Sequence, residues 1–181
     1  MPTFLIRTYG YTAGEAGLRY GLAVLVGGIA GLIISGAVAN RLAAMGRRDA
    51  SIIVALGCTL LAVIPAIIAP VLHNSMATLW LSGISIFGFA SAIALAPVAL
   101  PVVIPNEMRG QVYALYLLTI SVLGYAVGPV LVALITDKIF HDDAMVGWSM
   151  ALVALIAGPV AVLLWTIARK QFLLSGRLIE I

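Results

Sequence analysis

Residues 35–49 read SGAVANRLAAMGRRD, with long apolar runs on both sides. A basic cluster in so apolar a chain has three candidate meanings: a nucleic-acid patch, a membrane-topology signal or a specific structural device. The neighbouring sequence separates them. No Asp, Glu, Lys or Arg occurs at 20–40, 50–106, 110–136 or 144–168. A helix needs about 20 apolar residues to cross a bilayer. The 50–106 stretch has room for two crossings, and His73-Asn74-Ser75 breaks it near the middle as a polar turn. The chain therefore reads as five transmembrane helices, roughly 13–44, 50–72, 76–104, 108–136 and 144–168. Membrane β-strands alternate and are about half as long, so the fold class is all-α and integral to the membrane.

Composition supports this. Of 181 residues, 63% are hydrophobic and 9% charged, where soluble domains carry about 25% charged residues. The formal charge of +3 is spread over several loops as helix flanks. No basic face interleaved with aromatics appears, which argues against a nucleic-acid partner. Cys58 is the sole cysteine, so neither an intrachain disulfide nor a cysteine metal cluster can form. No Ser-His-Asp set, HExxH or acid cluster is present, and His73 and His141 stand alone in loops. The chain does not read as an enzyme, and neither a metal nor a cofactor is implied. Residues 1–12 do not resemble a cleavable signal.

Charge also sets the orientation. One side collects Arg41, Arg47, Arg48, Arg109, Arg169, Lys170 and Arg177; the other collects Arg7, Arg19 and Lys138. The richer side is cytoplasmic by the positive-inside rule. The N-terminus is then outside and the C-terminus inside, in the plasma (inner) membrane. Trp80, Trp148 and Trp165 fall near helix ends, as interfacial anchors do.

Helix starts are marked. Thr12-Ala13-Gly14-Glu15 has the form of a capping box. Asp49 is placed to cap the second helix, Asn74 or Ser75 the third, Asn106 the fourth, and Asp142 or Asp143 the fifth. Gly27, Gly31, Ser35 and Ala39 form an i, i+4 stripe of small residues, and Gly124 and Gly128 repeat the spacing. In lipid such stripes mark helix contacts. Pro65, Pro70, Pro97, Pro101, Pro129 and Pro159 fall within helices, where each frees a carbonyl and can kink the chain.

A hidden repeat follows from GLIISGAVANR at 31–41 and GPVLVALITDK at 128–138. Each runs from a glycine through eight residues to Asn or Asp and then a base. The first helix ends inside and the fourth outside, so the pattern recurs inverted, three helices later. Inverted triplets are a transporter signature. Helices three to five complete one triplet; the other lacks its opening helix, of which residues 1–12 would be an outer loop and remnant. On this reading 13–168 form the bundle and 169–181 a cytoplasmic tail.

GAVANRLAAMGRR resembles a loop motif of the major facilitator superfamily. Gly36, Arg41, Gly46, Arg47 and Arg48 match it, and Asn40 stands where an aspartate is usual. PNEMRGQVYALYLLTISVLGYAVGPVLVALITD, 105–137, is similar to the segment entering helix eleven of these transporters, above all in the spinster-like branch. Glu107 and Arg109 form its loop element, and Gly124, Gly128 and Pro129 its packing element. The resemblance implies helices eight to twelve of twelve, with the N-terminal half of the transporter as the missing partner and the bilayer as solvent.

The resemblance also implies a substrate cavity lined by the first, third and fourth helices. Tyr116, Thr119, Ser91, Ser85 and Tyr125 are the leading candidates, with Ser82, Tyr113, Ser121, Tyr20 and Arg19 near them. For each Ser or Thr the competing reading is a hydroxyl bonded to its own helix. No ionisable residue lies deep in a helix, so a proton relay is not expected in this segment. The expected function is transport of a small organic or lipid-like solute by alternating access, with this chain a fragment inactive alone. The alternative is a complete five-helix membrane subunit or assembly protein.

Overall fold

The protein is described by a computed structural model covering residues 1–142 and 145–178. Asp143, Ala144 and 179–181 lie outside the described residues, as do the side chains of 101–103 and 175–178. The helices are α1 Pro2–Tyr9, α2 Ala13–Ala44, α3 Ala50–Ile68, α4 Ser75–Val103, α5 Arg109–Thr119, α6 Gly128–Ile135 and α7 Val146–Leu178. Among the described residues five spans are long and apolar enough to cross a membrane: Ala13–Ala44, Ala50–Val71, Ser75–Leu100, Asn106–Phe140 and Val146–Leu174. The fourth joins α5 to α6 through π-helical turns at Ile120–Val127, and more follow at Thr136–Phe140. Pro129, with no N–H to donate, sits where the first π stretch ends.

The interior is rich in small side chains, alanines and hydroxyls among them, and the exterior carries large apolar ones. Ser35, Thr59, Thr78, Ser91 and Ser149 are nearly inaccessible, while Leu18, Ile33, Ile64, Leu115 and Leu164 are exposed. A water-soluble protein would be arranged the other way. In hydrocarbon the lipid takes the large side chains and helices meet through small ones.

The α2–α4 contact shows this best. A Cβ at Gly27 would lie 2.6 Å from the Gly83 carbonyl oxygen, and one at Gly31 would lie 2.5 Å from that of Phe87. Ser91 Oγ rests 2.9 Å from Gly31 O. On its other side α4 meets α3 through Gly88, against Cys58 and Ala62. Near the far end Ala39, Val54, Ala55 and Leu95 pack with Leu42, Cys58 and Trp165.

At the opposite end α1 closes the bundle. Phe4, Leu5 and Ala16 are buried among Tyr9, Tyr20, Leu79 and Met150. The Tyr9 hydroxyl donates to the Leu72 carbonyl and Tyr11 to Ser75 Oγ at 2.9 Å. Arg19 stacks over the Tyr11 ring at 4.7 Å. Residues 2–9 are thus a short helix docked on the bundle.

Several helix ends follow the expected chemistry. The Thr12–Glu15 capping box is complete, and Asn74 Oδ1 accepts from the amides of Met76 and Ala77 at 3.0 and 3.3 Å. Thr12→Ala should cost about 1 kcal/mol, measured by equilibrium unfolding in mixed micelles. Three expectations need correction. Asp49 makes no side-chain cap; its carboxylate turns to Arg169 instead. Asn106 opens a short 3-10 turn after Pro105, again without a side-chain cap. The final helix does not stop at 168 but continues to Leu178, with Arg169 held by Asp49. Of the two candidate caps for that helix, Asp143 lies outside the described residues.

Candidate functional site

A half-open cavity of about 810 Å³ lies among the helices. Its walls come from α1 (Thr3, Arg7), α2 (Tyr20), α4 (Ser82, Ser85), the fourth span (Gly124, Gly128) and α7 (Met150, Val153). Arg7, Tyr20, Thr136 and Asp137 bring polar groups to it; Ile86, Phe89, Val132 and Ala133 make the rest apolar. This is a surface for an apolar body with a few polar anchors. Among the described residues no group of three or more His, Cys, Asp or Glu could hold a metal.

The sequence-derived candidates are scattered. Ser85 lines the cavity, with Oγ 3.2 Å from Ala62 O. Ser91 lies between α2 and α4, its single hydroxyl proton facing both Gly31 O at 2.9 Å and Phe87 O at 2.7 Å. Thr119 bonds its own helix at Leu115 O, 2.8 Å. Tyr116 donates to Ile93 O of α4, and Tyr125 is 75% exposed on the outer surface. None of these four lines the cavity.

The glycine stripes also part company. Gly27 and Gly31 are filled by α4, whereas a Cβ at Gly124 or Gly128 would meet nothing within 4 Å. The second pair, with Pro129, faces the cavity. The contributions of α1 (Thr3 and Arg7), α3 (Ala66) and α7 (Met150 and Val153) had no sequence signal, since packing between distant segments brings them together.

The 35–49 segment resolves into a helix stop and a tether. Gly46 has φ +84°, a conformation that glycine adopts without strain. Its N–H reaches Ala43 O at 2.9 Å, and the Arg47 N–H reaches Leu42 O at 3.1 Å. These two bonds form a Schellman motif that closes α2. Asn40, Arg41, Arg47 and Arg48 point outward and are exposed, and a Cβ at Gly36 would meet nothing within 4 Å. Asp49, next in line, takes the Arg169 Nε of α7 at 2.8 Å. In the second loop Glu107 is exposed and Arg109 Nε donates to Ile104 O at 3.3 Å.

A family model for the Major Facilitator Superfamily matches residues 1–129. The chain belongs to the Major Facilitator Superfamily. It is therefore an integral membrane protein of a transporter family rather than of an enzyme family. A protein of Mycolicibacterium smegmatis (strain ATCC 700084 / mc(2)155), described as an MFS-type efflux pump, is 33% identical over 158 residues. That match covers 86% of this chain and 36% of the relative, so the chain spans little more than a third of its length. No solved structure matches.

Proposed function

We propose that this chain works as part of a secondary transporter, supplying helices eight to twelve of a twelve-helix protein. Its cavity is then the seat of a neighbouring transmembrane helix. The asymmetry of the glycine stripes carries this reading. Gly27 and Gly31 hold α4 in close contact, while Gly124 and Gly128 carry the same spacing and open on empty space. The inverted echo between 31–41 and 128–138 says the two stripes should serve alike. A helix in the cavity would meet Gly124 and Gly128 as α4 meets Gly27 and Gly31. The fourth span, none of whose apolar window is buried, would gain the partner it lacks.

The transport itself is alternating access of one half against the other. The substrate is a small organic or lipid-like amphiphile, in keeping with the spinster-like cast of 105–137 and with a relative described as an efflux pump. The protein sits in the inner membrane with residue 1 outside and the basic turn at 46–48 in the cytoplasm.

Proteoliposomes loaded with an amphiphilic fluorescent dye test this. The whole transporter carrying this chain should move the dye, and the 181-residue chain alone should not. Dye movement by the lone chain would overturn the fragment reading. Movement by neither would overturn the transport reading for such solutes.

A further inference from the structure

Two carbonyls in α4 lose their helical donor by sequence alone. Pro97 and Pro101 have no N–H. The carbonyls four residues before them, Ile93 and Pro97, therefore have no i+4 partner. In hydrocarbon no water replaces such a donor.

The structure brings a tyrosine hydroxyl to each. Tyr116 Oη donates to Ile93 O at 2.8 Å, and Tyr113 Oη donates to Pro97 O at 3.0 Å. The pairing is positional. The prolines are four apart on α4, and the tyrosines are three apart on α5, which puts them on one face. The two helices run in opposite directions, so the later tyrosine meets the earlier carbonyl. Elsewhere α5 packs only lightly on α4, and these bonds are its main polar attachment there among the described residues.

We propose that Tyr113 and Tyr116 are a clasp on a proline hinge. They supply the two donors that α4 cannot supply itself, so the course of α4 past Ile93 is coupled to the position of α5. Swinging α5 away strips both carbonyls at once. Holding α5 in place satisfies both. The tyrosines are positioning residues, and the assignment is independent of any substrate and of whether the chain transports.

A double-mutant cycle on the full chain in lipid nanodiscs tests it. Tyr116→Phe should lower the thermal midpoint by about 2 °C with Pro97 present. It should have no effect in a Pro97→Ala background, where the new amide takes Ile93 O. Tyr113→Phe should behave alike with Pro101 and Pro101→Ala. A hydroxyl serving only general packing would give the same shift in both backgrounds, and that result, or no shift in either, overturns the proposal. Hydrogen exchange gives a second readout that stands even if a proline variant fails to fold. Exchange in 94–100 should rise several-fold in the Tyr113→Phe, Tyr116→Phe double variant; unchanged exchange also overturns the clasp.

Discussion

Gly31→Val should destabilise the bundle by about 3 kcal/mol, the upper end for forcing bulk into a packed contact. Its Cβ would stand 2.5 Å from the Phe87 carbonyl and 3.0 Å from Ser91 Oγ. The first neighbour is backbone and cannot step aside, so α2 and α4 must separate. Separation also removes the Ser91 hydrogen bond to Gly31 O. Gly28→Val is the control, because a Cβ there meets nothing within 4 Å. Unfolding in mixed detergent micelles should show a large loss for the first and a change within about 0.5 kcal/mol for the second. Equal effects would mean that the stripe is not the contact described above.

Arg169→Ala should cost about 2 kcal/mol, and more than Asp49→Ala. The reason is which partner is left behind. The Asp49 side chain is 8% exposed and that of Arg169 42%. Removing the arginine strands a carboxylate that water barely reaches. Removing the aspartate frees a guanidinium that water can solvate. The half-exposed arginine brings the figure below that for a fully buried pair. The pair also fastens the far end of α7 to the start of α3, so hydrogen exchange in 166–174 should rise in both variants. Restoring stability by exchanging the two residues, Asp49→Arg with Arg169→Asp, would show that the contact rather than either residue matters. If Asp49→Ala proves the costlier change, this account of burial is wrong.

The spans were legible because charge is excluded from hydrocarbon. Four gaps in Asp, Glu, Lys and Arg, the longest divided by the polar turn at 73–75, marked the five regions where the structure has long apolar helices. Local punctuation was legible where one residue acts on its neighbours. The Thr12–Glu15 box and the Asn74 cap needed only a few residues of context. Asp49 shows where this fails. Its position before an apolar run is that of a cap, yet a guanidinium 120 residues away outcompetes the local amides.

Tyr116 and Thr119 make the same point for site residues. Their spacing placed them on one face, but spacing does not say what that face meets. Tyr116 faces a proline-stripped carbonyl and Thr119 its own helix. The signal for the tyrosine role was present in the proline pair at 97 and 101, whose missing amides leave known acceptors waiting. Ser91 and Ser85 were visible as polar residues at membrane depth. Their acceptors on α2 and α3 were not.

The sequence by itself determined the solvent, the number of spans and the family likeness. Each depends on composition or on residues close in the chain. Tertiary structure alone decided which glycine stripe is filled and which opens on a cavity. It decided as well that the turn at 46–48 leads into a tether between Asp49 and Arg169. Those outcomes turn on which helices meet, and lipid-facing, partner-facing and cavity-facing apolar residues are alike in sequence because hydrocarbon surrounds them all.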